Sequence, residues 1–358
     1  QTAIADVEPG FGGEVHHSDD VEHERDGEST RWTIEDVFGT EVIPFAIGHR
    51  GYGENKIKLP GRPIENTTKA VQRAFKEGAQ IVEVDAVLTG DDIAVALHDD
   101  FLEDGTCVNK LDFKDLKHRL KEVSTLRDIL KKARKFSYIK KSDRPSGQVV
   151  VEIKTPSPLC DPGDETIPAL VDAVLDDIEE VDMEEQVIIE SFSPEILLEV
   201  LVEEPDIPRM LAVSVLQLMT AEQIYYYTGL EAVPIPIEEK NPGNLGLQWA
   251  EIGDLYRLPG YTNMDQQYLY VLSATSSHTA SLDKEILRSM DKMQGGLAAY
   301  FVSALQDNFG WYVLVYTITD TIDASAEEEW YTFASFGVNG MYIDNVPLGL
   351  SLEGKIVP

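Results

Sequence analysis

The sequence predicts an α/β protein built as a (β/α)8 TIM barrel, a closed ring of parallel strands surrounded by helices. Short apolar runs of strand length alternate with segments of helical apolar spacing along most of the chain. Eight of these runs count as parallel strands once one hairpin arm is set aside. Several runs end in charged side chains, as expected at the carboxyl ends of barrel strands, where barrel enzymes build their active sites.

Length and patterning divide the chain into an arm and a barrel. Residues 1–40 are polar and acidic with little periodicity, so we expect a solvated N-terminal arm. The barrel is expected to occupy 41–358, which suits one barrel with insertions. The stretch at about 221–267 is rich in tyrosine, proline and glycine, and it is predicted to be a long loop insertion late in the barrel.

The first predicted strand, at 43–47, ends in a Gly-His-Arg-Gly run that contains His49 and Arg50. The glycines of this run are expected to let backbone and ligand approach closely. The helix that follows is predicted to begin with Asn66 as its N-cap and to end at Gly78. Strand, helix and the next strand then form one βαβ unit.

The second strand carries two carboxylates on one face. Glu83 and Asp85 are two residues apart, and alternate residues of a strand point to the same side. A short connection leads to a second apolar run at 93–97, which is too close in sequence for a parallel crossover and must pair antiparallel. We therefore expect a small inserted hairpin that returns His98 toward the two carboxylates.

The remaining strands and helices follow the same alternation. Further helices are predicted at 113–120, 126–133, 169–178 and 194–202. His278 follows closely after one predicted strand and either faces the site or stabilises a loop. The six later parallel strands are predicted at 148–153, 186–189, 210–215, 268–272, 312–316 and 341–343.

Composition excludes several classes of partner. The formal net charge is −34, from 30 basic and 64 acidic residues, and no basic stripe interrupts it, so nucleic acid binding is not expected. No run of eighteen apolar residues is present, so no membrane-spanning helix is expected.

The sequence starts at Gln1, as a processed chain would, and we expect a secreted or periplasmic protein. Cys107 and Cys160 either form a disulfide or remain two free thiols.

Three carboxylates are predicted to converge at the barrel rim: Glu83, Asp85 and Glu152, the last at the end of the strand at 148–153. Such a cluster repels itself unless a cation lies between its members. All-oxygen ligation suits Ca²⁺ or Mg²⁺. The alternative for each residue alone is an ordinary ion pair, but the set predicts one hard divalent cation.

The same rim offers groups suited to a phosphodiester. Arg50 is a bidentate phosphate donor and Lys154 a compact cation. His49 and His98 can exchange protons near neutral pH. With a divalent ion, the cations and the three carboxylates leave about one net positive charge for a monoanionic diester. We expect one histidine to deprotonate the nucleophile and the other to protonate the leaving alkoxide.

Taken together, these elements resemble the glycerophosphodiester phosphodiesterases, relatives of the phosphatidylinositol phospholipase C-like barrels. The resemblance spans most of 45–346. The matching elements, in chain order, are His49-Arg50-Gly51, Pro63 with Glu65-Asn66-Thr67, Glu83-Val84-Asp85, His98-Asp99, Glu152-Ile153-Lys154, Ser191-Phe192 and 340–344.

The resemblance implies metal-dependent hydrolysis of glycerophosphodiesters to glycerol 3-phosphate and an alcohol, in lipid and glycerol metabolism. It implies that His49 and His98 are the catalytic acid and base and that Glu83, Asp85 and Glu152 bind the metal. The substrate contacts that it implies are Arg50, Lys154, Glu65, Asn66, Ser191, Phe192 and Tyr316. The family usually has Trp-Thr-Val-Asn where this chain has Tyr316-Thr317-Ile318-Thr319, so the alcohol-side pocket is expected to differ.

Two alternatives share the same residues. One is a phospholipase D-like enzyme that acts on lysophospholipids or sphingomyelin through the same two-histidine, three-carboxylate centre. The other is a non-catalytic, acidic calcium-binding protein on the same barrel, which loss of either histidine would favour; both are retained. The sequence does not determine the oligomeric state.

Overall fold

Eight parallel strands close into a barrel, which confirms the predicted (β/α)8 fold. The computed structural model describes residues 31–40, 43–55, 60–139, 143–157, 159–214, 275–321 and 324–355. Within these ranges the sheet order is β1-β9-β8-β7-β6-β5-β4-β2-β3, and pairing of β1 with β2 closes the ring. The strands are β1 (Phe45–Gly48), β2 (Ile81–Leu88), β3 (Ala94–Val95), β4 (Gln148–Ile153), β5 (Val187–Ser191), β6 (Arg209–Val213), β7 (Thr279–Asp283), β8 (Tyr312–Ile318) and β9 (Gly340–Ile343).

Helices alternate with the strands and cover the outside of the barrel. Apolar side chains from the strands and the inward faces of these helices form one continuous buried cluster. No helix among the described residues is long and apolar enough to cross a membrane. The helices are α1 (Ile34–Phe38), α2 (Thr68–Glu77), α3 (Phe113–Arg119), α4 (Leu126–Ala133), α5 (Ile167–Val181), α6 (Pro194–Glu203), α7 (Lys284–Met293), α8 (Leu297–Phe309), α9 (Ala326–Ser335) and α10 (Val346–Leu352).

The N-terminal end of the barrel is closed by α1. Ile34, Val37 and Phe38 are buried in a second cluster with side chains from the barrel interior. The Phe38 ring stacks on Tyr312, with 4.3 Å between the centroids. Part of the range predicted as an arm, 1–40, is therefore packed against the barrel, while 1–30 lies outside the described residues.

The seventh strand of the barrel differs from the predicted one. β7 begins at Thr279, whereas the predicted strand at 268–272 and the predicted insertion at 221–267 lie outside the described residues. His278 therefore precedes a strand instead of following one. It is exposed at the N-terminal end of the barrel, opposite the end where the carboxylates lie, so the alternative that it faces the site is wrong.

The predicted hairpin is present. β3 pairs antiparallel with β2, with Val95 opposite Val87, and the arm is shorter than the predicted 93–97. Beyond β3, the chain up to Val123 packs its own small apolar cluster, which includes Val108 and Leu116. We call the segment 93–123 the flap. A disulfide between Cys107 and Cys160 ties the flap to the loop after β4, which decides between the two alternatives for the cysteines.

Local interactions explain how the chain enters the helix α2. The N-cap is Thr67, whose hydroxyl accepts from the Ala70 N–H at 3.2 Å; the prediction of Asn66 was wrong by one residue. Gly78 ends the helix in the left-handed region, as predicted. Gly51 also has a positive φ of 86°, and a Cβ there would lie 2.9 Å from Ala70. Gly51 therefore allows close packing of the chain against α2.

Candidate active site

Three carboxylates converge at the carboxyl end of the barrel. Glu83 and Asp85 point inward from β2, and Glu152 points inward from β4, where it is the direct neighbour of Asp85 in the parallel register. One oxygen from each lies within 4.8 Å of the others, and Glu83 and Asp85 are buried. The structure thus brings together the three residues that were predicted to bind a metal.

Two cations flank this cluster. The Arg50 Nη1 atom lies 2.8 Å from Glu65 Oε1, and its Nε atom lies 3.5 Å from Asp85 Oδ2. The Lys154 Nζ atom lies 2.5 Å from Glu152 Oε1 and 3.4 Å from Asp85 Oδ1. Arg50 and Lys154, which were predicted to contact phosphate, therefore both lie at the rim and are paired there with carboxylates of the same site.

Burial and mutual repulsion shift the proton affinities of the cluster. Burial, reinforced by the neighbouring Asp85 and Glu152 charges, raises the pKa of Glu83 well above its ordinary value. Burial also opposes ionisation of Asp85, but Lys154 and Arg50 outweigh it and hold the Asp85 pKa below its usual range. Burial raises the pKa of Glu152 as well, against the opposing effect of Lys154. In the free protein, the cluster thus disfavours three simultaneous negative charges.

The donor set fits a hard divalent cation. Glu83 Oε2 accepts from the backbone N–H of Arg50 at 2.8 Å, whereas Glu83 Oε1 is buried with no hydrogen-bond partner among the described residues. A buried carboxylate oxygen without a donor is costly, and a cation between the three carboxylates would satisfy it. Glu83, Asp85 and Glu152 are accordingly the residues that would hold the ion.

The segment before α2 hydrogen-bonds to the site residues and positions them. The Asn66 side-chain amide donates to Asp85 Oδ2 at 2.7 Å, and its carbonyl oxygen accepts from the Asp85 N–H at 3.1 Å. Glu65 Oε2 accepts from the Asn55 N–H at 2.6 Å, and its other oxygen holds Arg50. These two residues were predicted as substrate contacts; in the structure they position Asp85 and Arg50.

Each predicted catalytic histidine has an aspartate partner. His49 Nδ1 lies 2.8 Å from Asp344 Oδ1, and His98 Nδ1 lies 2.6 Å from Asp99 Oδ1. Such pairs fix the ring orientation and leave Nε2 as the second nitrogen for chemistry. Burial and the nearby Lys154 charge lower the pKa of His98 to about 4, so its imidazole is neutral near pH 7.

The sequence analysis assigned no role to two residues of this region, Asp344 and Glu190. Asp344 directly follows β9 and orients His49; the position of a polar residue at a strand end could have indicated it. Glu190, on β5, is buried and accepts from the Tyr342 hydroxyl at 2.8 Å. Burial and the Glu152 charge raise the pKa of Glu190 to about 8, so it is mostly protonated at neutral pH. Glu190 follows the same inward alternation as Glu152 and was identifiable on that ground.

Aromatic side chains lie beside Lys154. The Phe192 ring is 5.8 Å from Lys154 Nζ and meets the Tyr316 ring edge-on at 5.7 Å between centroids. The Phe192 ring therefore lies beside Lys154, a predicted phosphate contact, and the Tyr316 ring lies beside Phe192. Ser191, by contrast, is fully buried; its hydroxyl donates to the Ile153 carbonyl at 2.8 Å and accepts from the Ser193 N–H. The Ser191 hydroxyl is therefore already hydrogen-bonded to backbone groups, which does not support the predicted substrate contact.

Comparison with known proteins identifies the family and the fold. Residues 49–236 match the model of the glycerophosphoryl diester phosphodiesterase family. No curated protein sequence matches the chain. The fold is similar to that of solved structures at low identity, and three of these illustrate the likeness.

A Silicibacter pomeroyi protein assigned as a glycerophosphoryl diester phosphodiesterase is 17% identical with a TM-score of 0.59, over 88% of this chain and 97% of that one. An Oleispira antarctica phosphodiesterase, solved with the product sn-glycerol-3-phosphate, is 18% identical with a TM-score of 0.54, over 86% of this chain and 96% of that one. A Thermotoga maritima glycerophosphodiester phosphodiesterase is 16% identical with a TM-score of 0.52, over 86% of this chain and 97% of that one.

The family model covers more than half of the 358 residues and includes both histidines, all three clustered carboxylates and the flap. The chain therefore belongs to the glycerophosphoryl diester phosphodiesterase family of (β/α)8-barrel enzymes.

Proposed function

We propose that this protein hydrolyses glycerophosphodiesters to glycerol 3-phosphate and an alcohol, with the help of one divalent cation. The observation that carries the proposal is the clustering of Glu83, Asp85 and Glu152, with Arg50 and Lys154 in direct contact with them. Carboxylates that bind a cation, next to cations that bind phosphate, form a site for an anionic ester. Membership of the family supports the same reaction.

The charge balance of the site supports a bound cation. The three carboxylates outnumber Arg50 and Lys154, and Glu65 already neutralises much of the Arg50 charge at 2.8 Å. A bound ion would allow all three carboxylates to be ionised and would leave positive charge for the phosphate, so Ca²⁺ or Mg²⁺ is proposed as the cofactor. When bound, the ion would polarise the phosphoryl oxygens and stabilise their developing charge. Arg50 and Lys154 would orient the same oxygens.

The histidines are proposed to divide the proton transfers. His98 is neutral near pH 7 because burial and Lys154 lower its pKa to about 4, so it can accept a proton from the nucleophile. His49 Nδ1 is held 2.8 Å from Asp344 Oδ1, which orients the ring and leaves Nε2 for the second proton transfer. His49 is therefore assigned as the acid that protonates the leaving alkoxide.

Activity measurements test this proposal directly. Purified protein is incubated with glycerophosphocholine and related diesters, with Ca²⁺, Mg²⁺ or a chelator, and release of glycerol 3-phosphate is measured. His49→Asn and His98→Asn are each expected to lower kcat by about 10²–10⁴-fold. His278→Asn is the matched control, because that histidine is exposed at the other end of the barrel. Absence of turnover with every diester and both metals would refute the proposal.

Two alternative functions remain from the sequence, a non-catalytic calcium-binding role and a phospholipase D-like activity. A non-catalytic calcium-binding role does not account for two histidines that are each oriented by an aspartate at the metal cluster. A phospholipase D-like action uses the same centre and differs only in the substituents of the phosphodiester.

We also propose that the protein works in an oxidising compartment, either secreted or periplasmic. The Cys107–Cys160 disulfide supports this location, because such bonds persist outside the reducing cytosol. Thiol labelling of the protein in its native cells, combined with fractionation, tests it. Recovery in the cytosolic fraction with two free thiols would contradict the location.

A further inference from the structure

Arg62 lies on the segment before α2 and contacts the aspartate that orients His49. Its Nη2 atom donates to the Asp344 carbonyl at 2.5 Å and to the Tyr52 carbonyl at 3.0 Å. Tyr52 lies beyond β1, whereas Asp344 directly follows β9, so one guanidinium nitrogen bridges two turns at the carboxyl end of the barrel. The reaction scheme above gives this arginine no role.

Asp344 is fixed at its carboxylate and at both of its backbone polar groups. Its Oδ1 atom lies 2.8 Å from His49 Nδ1 and also accepts from the Glu54 N–H at 2.8 Å. The Asp344 N–H donates to the Ile318 carbonyl at 3.2 Å. Arg62 supplies the contact to the remaining group, the Asp344 carbonyl oxygen. The position of the carboxylate that orients His49 therefore depends in part on Arg62.

A glycine lets these groups pack closely. The Gly53 N–H donates to the His49 carbonyl at 2.7 Å and closes the turn after β1. Gly53 has a φ of 92°, and a Cβ there would lie 1.9 Å from the Asp344 carbonyl oxygen and 2.2 Å from Arg62 Nη2. A side chain at this position would therefore separate the guanidinium from the Asp344 carbonyl, and glycine leaves room for their contact.

The backbone that carries Arg62 is itself held in place. The buried Asn55 side-chain amide donates to the Arg62 carbonyl at 3.2 Å and to the Pro63 carbonyl at 2.8 Å. The Asn55 N–H donates to Glu65, the carboxylate that pairs with Arg50. The Arg62 side chain thus extends from a fixed backbone, and its planar guanidinium loses little further freedom when it binds the two carbonyls.

We propose that Arg62 is a positioning residue, which acts through Asp344 to hold the His49 ring in the orientation that proton transfer requires. The inference rests on the proposed function, because it takes His49 as the acid that protonates the leaving alkoxide. In that step the proton on Nε2 passes to the leaving oxygen as its bond to phosphorus breaks, while Nδ1 stays paired with Asp344. A shift of Asp344 would turn Nε2 away from this oxygen, and Arg62 opposes such a shift.

Two substrates with different leaving groups test this role. The choline alkoxide of glycerophosphocholine needs a proton to leave, whereas the nitrophenolate of a glycerol phosphate nitrophenyl diester leaves without one. For glycerophosphocholine, Arg62→Ala is expected to lower kcat about 10–100-fold and to change KM less than about threefold. For the nitrophenyl diester, Arg62→Ala is expected to change kcat less than about threefold. A loss of stability alone would not depend on the leaving group.

A double-mutant cycle tests whether Arg62 acts through His49. Adding Arg62→Ala to His49→Asn is expected to lower kcat for glycerophosphocholine by less than about a further twofold. Arg134→Ala is the matched control, because Arg134 pairs with Asp182 at the opposite end of the barrel and its loss should leave kcat unchanged.

Thermal unfolding verifies that each variant is folded. If Arg62→Ala does not fold, Arg62→Lys is measured with the same two substrates. Lysine keeps the positive charge but replaces the planar, forked guanidinium with a flexible ammonium group, so a smaller loss with the same dependence on the leaving group is expected. Guanidinium chloride at a non-denaturing concentration should restore part of kcat to Arg62→Ala, with sodium chloride as the control for ionic strength.

The outcomes separate this inference from the proposed function. A loss of kcat that is confined to the alkyl diester and absent in the His49→Asn background supports the positioning role. Wild-type kcat in Arg62→Ala, or an equal loss with both substrates, overturns the role of Arg62 and leaves the proposed function intact. A further loss of about tenfold in the His49→Asn background also overturns it, since Arg62 would then act independently of His49. Hydrolysis of neither diester by the wild-type protein contradicts the proposed function itself.

Discussion

Asn66 offers a test of how the carboxylate cluster is held in place. Its side chain is 2% exposed and contacts Asp85 twice, through a donated bond of 2.7 Å and an accepted bond of 3.1 Å. A hydrogen bond to a charged group contributes about 1.5–3 kcal/mol. Loss of both contacts leaves Asp85 free to reorient and to repel Glu83 and Glu152 more strongly.

The backbone at Asn66 must be separated from this effect. Its φ is 55°, in the left-handed region, where asparagine is tolerated and alanine costs about 1 kcal/mol or more. Asn66→Gly removes the amide but accepts this backbone conformation, whereas Asn66→Ala removes the amide and adds strain. The two variants are therefore expected to differ in the free energy of unfolding and to agree in their effect on cation affinity.

For both variants, we expect affinity for Ca²⁺ or Mg²⁺ and kcat/KM to fall about 10–100-fold, which corresponds to about 1.4–2.7 kcal/mol. Cation affinity is measured by calorimetry, kcat/KM at saturating cation, and the free energy of unfolding in urea. A folded Asn66→Gly variant with wild-type cation affinity and kcat/KM would refute the view that Asn66 positions Asp85.

Three further predictions follow from proton affinity and from the disulfide. Burial raises the pKa of Glu83 in the folded protein above its pKa in the unfolded chain. The contribution of Glu83 to stability is therefore fully present below the unfolded-state pKa and is lost as the pH rises toward the folded-state pKa. Ca²⁺ should therefore raise the melting temperature more at pH 8 than at pH 5; equal shifts would contradict this. Because the His98 pKa is about 4, kcat/KM should fall through protonation of His98 only below about pH 5. A decrease of kcat/KM centred near the ordinary histidine pKa of about 6.5, absent in His98→Asn, would contradict this prediction. The double variant Cys107→Ser, Cys160→Ser should lose about 2–4 kcal/mol in urea unfolding, with the reduced wild type as the comparison; unchanged stability of both would exclude a stabilising disulfide.

Local patterns predicted the elements that bear the chemistry. The spacing of Glu83 and Asp85 on one strand places both inside the barrel, because alternate residues of a strand share a face. The short connection before β3 required an antiparallel hairpin, and this returned His98 to the site. The strand 148–153 was predicted at its observed bounds, since its apolar run is continuous and ends in charged residues.

Other features depended on contacts between distant parts of the chain. The short helix α1 is stabilised by packing against strand ends such as Phe45 and Tyr312, and its five residues carry too little periodicity to predict it. The misplaced seventh strand also put His278 at the wrong end of the barrel. The role of Ser191 depended on its neighbours, because a buried hydroxyl bonds to whichever backbone groups surround it.

By itself the sequence determined the barrel, the charge of the protein and the residue types available for metal and phosphate binding, because these follow from periodicity and from side-chain chemistry. Only the tertiary structure decided which carboxylates share one site and which partner orients each histidine. It also decided that Cys107 and Cys160 are paired, that Asn66 hydrogen-bonds to Asp85 and Glu65 pairs with Arg50, and that an apolar cavity adjoins His98. Distances, burial and cavities arise from the packing of segments far apart in sequence, and local patterns do not contain them.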